Sequence, residues 1–199
     1  MRAGLLRSLA LLGVLLLFGC DPQQDRYRLA MQQLFHRDYR AGALTLASLA
    51  ETGHAPSQFR LGMLYRLGLG VPRNARLAAY WFEKAARQDH VGGQYWLAES
   101  YRRGEGVPVS HELAFQWFHR LAERGYAPAR YQIALAYAEG RGVARDEPAA
   151  VTWLHRAVAG GQPAAARRLA RAYRNGELGL PREPRQAAEW ERKTQPARF

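Results

Sequence analysis

The sequence predicts an all-α solenoid of about five antiparallel helix pairs, and three observations carry that expectation. Tyr65, Tyr101, Tyr137 and Tyr173 recur 36 residues apart, and Gly68, Gly104, Gly140 and Gly176 recur with them at the same step. A fixed period in the thirties marks units that cannot bury their apolar face alone and must stack on neighbours. Within each period an apolar run at helical spacing precedes the glycine and a second follows it, with a polar capping residue between them.

At the N-terminus, Arg2 and Arg7 precede an apolar run from Leu9 to Phe18 that ends in Gly19 and Cys20. Such a pattern reads as a secretory signal, since the run is far shorter than the ~20 apolar residues a membrane-spanning helix needs. Leu17-Phe18-Gly19-Cys20 resembles the lipobox of bacterial lipoproteins, with Phe18 as a bulky departure, and Cys20 is the only cysteine. The resemblance implies a signal peptide over 1–19, a lipidated Cys20 anchoring the chain to a membrane, a tether over 20–24 and a periplasm-facing protein of the bacterial envelope. Cleavage there leaves residues 20–199, enough for one continuous core. Its only thiol is consumed by lipid, so packing rather than a disulfide must supply stability.

Residues 25–56 lack the glycine loop but keep an apolar helical rhythm in Tyr39, Ala41, Leu44, Leu46 and Leu49. They read as a degenerate capping unit, which a solenoid needs at its end. Four full units are expected over 57–195, with a short tail over 196–199. The first helix of each carries Leu61 and Tyr65, Leu97 and Tyr101, Ile133 and Tyr137, then Leu169 and Tyr173; small residues Gly62, Ala98, Ala134 and Ala170 allow close approach of a neighbour. Glycine suits the left-handed helix end at Gly68-Leu69-Gly70-Val71 and its copies. Asn74, Ser110 and Asp146 share one repeat position and are strong N-caps for the second helix. That helix places Trp81, Trp117 and Trp153 in one slot, three residues after Ala78, Ala114 and Ala150. The fourth unit departs by one extra loop residue in Gly176-Glu177-Leu178-Gly179-Leu180 and by Glu183 at the cap, and Trp190 recovers the register. A tryptophan column this regular is expected to be core.

This combination resembles the Sel1-like repeats, relatives of the tetratricopeptide repeats. The resemblance implies a right-handed superhelix with first helices along the concave side, and a role in binding protein partners without catalysis. Short exported members resemble immunity proteins against phospholipase toxins of type VI secretion. Longer ones resemble scaffolds of exopolysaccharide export, and a structural protein bound to anionic lipid or peptidoglycan is the third reading.

Residues that obey the repeat are explained by packing, so binding residues are sought among those that break it. On the first helices the slots opposite the core stripe read Arg60, Trp96, Gln132 and Arg168; then Met63, Glu99, Leu135 and Arg171; then Leu67, Arg103, Glu139 and Asn175. The candidate partner-binding set is Arg60, Met63, Trp96, Glu99, Arg103, Gln132, Leu135, Arg168 and Arg171. Trp96 is the sharpest anomaly, because exposed tryptophan and arginine dominate binding hot spots. Arg167, Arg168, Arg171 and Arg174 form a basic stripe suited to carboxylate or phosphate.

Other chemistry finds little support. The net charge of +12 permits acidic proteins, phosphorylated lipids or nucleic acid as partners, and export past a membrane argues against nucleic acid. His119 and His155 stand one repeat apart without a third ligand, so no metal is expected. Ser57, Ser100 and Ser110 have no histidine and carboxylate beside them as a nucleophilic triad needs. Asp146 and Glu147 suit a cap and first turn rather than acid–base work, and the glycine loops lack the lysine of a nucleotide loop. Neither a catalytic residue nor a cofactor is expected.

Overall fold

The computed structural model describes residues 21–193, which contain ten helices in five antiparallel pairs. The pairs are α1 (Pro22–Phe35) with α2 (Tyr39–Glu51), α3 (Ala55–Leu67) with α4 (Ala75–Ala86), and α5 (Val91–Arg103) with α6 (His111–Glu123). They continue as α7 (Ala127–Glu139) with α8 (Glu147–Ala159), and α9 (Pro163–Asn175) with α10 (Pro184–Arg192). The segment expected to be a signal peptide, the expected lipidation residue Cys20 and the tail lie outside the described residues. The chain is already helical from Pro22, within the segment expected to be a tether, because Asp21 caps α1 by accepting the Gln23 amide at 3.0 Å.

Local chemistry builds each pair the same way. Gly68, Gly104, Gly140 and Gly176 end the first helices in the left-handed conformation that glycine adopts without a Cβ penalty. The chain then returns so that the amides of Asn74, Ser110, Asp146 and Glu183 donate to the carbonyls of Tyr65, Tyr101, Tyr137 and Tyr173, at 2.8–3.0 Å. The recurring tyrosine therefore marks the point where loop and helix end are tied. Side-chain caps at Asn74, Ser110 and Asp146 accept the amides of Leu77, Leu113 and Ala149. Glu183 makes no such bond.

Each helix packs on its neighbours in sequence, and ring contacts show like helices side by side. Phe59 of α3 lies 4.8 Å from His90 at the head of α5, and Tyr95 of α5 lies 5.7 Å from Tyr126 at the head of α7. On the other layer His119 of α6 meets Trp153 of α8, and His155 of α8 meets Trp190 of α10. A polar tie repeats as well: Gln58, Gln94 and Arg130 each donate to the last turn of the preceding helix, at Ala50, Ala86 and Ala122. The carbonyls they satisfy would otherwise be orphans of a helix end.

The core differs from expectation in one column. Trp153 is buried, but Trp81, Trp117 and Trp190 are only half-buried at the same slot. The innermost column is the next residue along, Phe82, Phe118 and Leu154, with alanines between the helices. The tryptophans instead lie over the seam between pairs, where Arg120 and Arg156 cover the rings of Trp117 and Trp153. In the fourth unit the extra residue Leu178 takes a left-handed φ of 58° and is buried in the terminal core, so the insertion lengthens the loop without breaking the stack.

Candidate functional site

The first helices present a continuous face, and the candidate residues fall along it in three groups. At α3 and α5, Trp96 is half-buried, 6.2 Å from Phe82, with Met63 packed against the same core cluster, and the Arg66 guanidinium lies 3.9 Å from its ring centre. Trp96 thus both packs between pairs and holds a cation at the surface. Arg60 is exposed beside Phe59. Burial, followed by the positive charge of Arg60, holds the pKa of His90 below its ordinary value.

Glu99, placed by its helical angle at the surface, is instead 2% exposed. It accepts from Arg102 through both oxygens, at 2.8 and 3.2 Å, and from Arg103 at 2.7 Å. A buried carboxylate needs such pairing, because desolvation penalises it heavily otherwise. Glu99 therefore orients two arginines rather than meeting a partner itself. Arg103 remains half exposed and also approaches Glu105.

Gln132 and Leu135 come together at a cavity of about 120 Å³ between α5, α6 and α7, lined also by Arg102, His111, Phe115 and Glu139. Burial and then the charge of Glu99 raise the pKa of the Tyr95 phenol, with a smaller opposing influence from Gln132. The floor of the cavity is Phe115, Phe118 and Ala136, and its rim carries Glu139 paired with Arg141 at 2.9 Å. Apolar depth with charged edges suits an inserted side chain from another protein. Phe115 was absent from the candidates, although a signal existed: its slot holds Ala79 and Val151 in the flanking units.

The terminal basic stripe is corrected. Arg168 is 17% exposed and pairs with Glu177 at 2.6 Å, Arg171 meets the same carboxylate at 3.1 Å, and Arg174 pairs with Glu191. Asn175, then Arg171 and Arg168, hold Glu177 below the usual carboxylate range. The loop of the longer fourth unit supplies this acid, so of the four arginines only exposed Arg167 lacks a carboxylate partner among the described residues. No cluster of three metal-ligating side chains, and no helix long and apolar enough to cross a membrane, occurs among the described residues.

The Sel1 repeat family profile matches residues 55–90, 91–126, 127–162 and 163–193. Among solved structures, a protective antigen of uropathogenic Escherichia coli strains with an SLR fold superposes at a TM-score of 0.79 and 24% identity, over 86% of this chain and 38% of the antigen. A Sel1 repeat protein from Oxalobacter formigenes superposes at 0.71 and 27% identity, over 81% of this chain and 66% of its own. An immunity protein from Pseudomonas aeruginosa reaches only 0.46 at 18% identity, a likeness too slight to bear on function. The chain thus spans less than two thirds of the first two structures. A search of curated proteins finds no match. Sel1 repeats mediate protein–protein interaction, and proteins built from them are typically non-catalytic scaffolds. With four repeats matched over most of its length, the chain belongs to the Sel1 repeat family.

Proposed function

We propose that this protein is a lipid-anchored adaptor of the bacterial envelope that binds another protein along its first helices without catalysis, and most concretely an immunity protein that neutralises a phospholipase effector of type VI secretion. The observation that carries the binding reading is the cavity at α5–α7. There the repeat is broken by Phe115, Gln132 and Leu135 at once, and an apolar floor opens between paired charges. The flanking units fill the Phe115 slot with the smaller Ala79 and Val151, so the repeat itself does not call for an aromatic ring there. Cys20 would hold this face at the membrane where such a toxin acts.

The test is capture of the phospholipase encoded beside this gene by the full chain, measured by titration calorimetry. Phe115→Ala combined with Leu135→Arg should weaken capture at least tenfold, about 1.4 kcal/mol, while Arg76→Gln, at an exposed position of α4, leaves it unchanged. Failure to bind any such toxin, with capture of an exopolysaccharide-export component instead, would replace the immunity role with the scaffold role.

A further inference from the structure

We infer that Arg66, held over the ring of Trp96, is a docking site that donates to the carboxylate of an acidic side chain on a protein partner. The inference rests on the protein-binding reading and specifies the chemistry of one of its contacts. It comes from comparing the same repeat slot within one molecule. Arg66, Arg102 and Arg174 occupy equivalent positions near the ends of α3, α5 and α9, and the third unit has Ala138 there. Arg102 is gripped through two bonds by Glu99, and Arg174 is paired with Glu191. Arg66 has no ion pair among the described residues, and its Nε is shielded from solvent with no acceptor. The reason is visible in the sequence. Three residues before Arg102 stands Glu99, whereas three residues before Arg66 stands Met63.

Two features prepare this arginine for a carboxylate. Contact with Trp96 at 3.9 Å covers one face of the guanidinium and leaves its two terminal Nη groups, which unlike Nε are not enclosed, to donate end-on to a carboxylate. The ring also fixes the side chain, which lowers the entropy lost on binding. A cation near the end of α3 favours the helix dipole, but Arg102 and Arg174 have the same advantage and still engage an acid. Half-buried Met63 and exposed Leu67 flank the slot, so the partner should present an acid beside apolar side chains. That surround favours a protein segment over a hydrated phosphate.

A phage-displayed library of random dodecapeptides, selected on the full chain, tests this. The selected peptides should be enriched in Asp or Glu next to apolar residues, and the best should bind Arg66→Gln at least tenfold more weakly than wild type. Replacing its acid by Gln should cost the same factor on wild type and almost nothing on Arg66→Gln, the signature of direct coupling. Arg66→Lys, which keeps the charge but loses the planar fork, should recover only part of the binding, and matched melting curves establish that each variant is folded. Peptides without acidic enrichment, or acidic peptides that bind Arg66→Gln as tightly as wild type, would overturn the inference. If such peptides lose binding only with Leu135→Arg, the carboxylate site falls while the adaptor reading stands. If no peptide binds any surface of the chain, both fall.

Discussion

Gly106, in the loop after α5, lies against the first residue of α4, so that a Cβ at 106 would sit 2.1 Å from the Ala75 carbonyl oxygen. The same approach joins Gly70 to Tyr39 and Gly142 to His111. The second glycine of the first three loops is therefore the place where one unit's backbone seats on the previous unit's second helix, whereas Gly179 in the longer fourth loop meets only the Glu147 side chain. In the first three loops that glycine sets the distance between units as well as the turn.

Gly106→Ala should consequently destabilise more than a glycine replacement that incurs only backbone strain. A left-handed non-glycine residue costs roughly 1–2 kcal/mol, and overpacking against rigid backbone adds about 1–3 kcal/mol. Gly53 has a φ of 93° and no atom within 4 Å of an added Cβ, so Gly53→Ala should show the first cost alone. Urea denaturation of both variants checks this; equal losses would show that the loop is not a seat.

Among the tryptophans, Trp153→Ala should cost about 3–5 kcal/mol, the range for a buried large aromatic, because it is 7% exposed within the largest core cluster. Trp117→Ala should cost less, as its ring is half-buried at the seam. Equilibrium unfolding ranks them, and a larger loss at Trp117 would overturn the column assignment.

The terminal pairing predicts a pH dependence. The pKa of Glu177 is lowered in the folded chain, so its stabilising contribution is complete above its unfolded value and is lost as pH falls through the folded one. Melting temperature should decline through that acid window more steeply in wild type than in Glu177→Gln, which should be less stable at neutral pH. Arg168→Glu should also destabilise at neutral pH, by placing a second carboxylate against Glu177 in a mostly buried position. Coincident melting profiles for wild type and Glu177→Gln would contradict the pairing.

Cys20→Ser should release the protein from the membrane fraction, since the lipobox-like segment supplies the anchor proposed for it. Fractionation of cells expressing wild type and variant checks this. Unchanged pelleting of the variant would reject lipidation.

The residues of each unit carried the fold because their effects are local. A glycine permits the left-handed end at 68, 104, 140 and 176, a side-chain oxygen at 74, 110 or 146 caps the next helix, and a 36-residue period repeats both. Part of the candidate site was legible in the same way, since Trp96, Gln132 and Leu135 break the pattern and lie on the successive first helices. The rest required tertiary contact. A helical angle gives the direction in which Glu99 leaves its helix, but the arginines that fold over it and bury it are set by packing. Likewise a basic stripe is readable from Arg168, Arg171 and Arg174, yet Glu177 and Glu191, from a lengthened loop and from the next helix, decide that these charges are already paired. Repetition determines the scaffold, while charge and exposure depend on which neighbour each side chain meets.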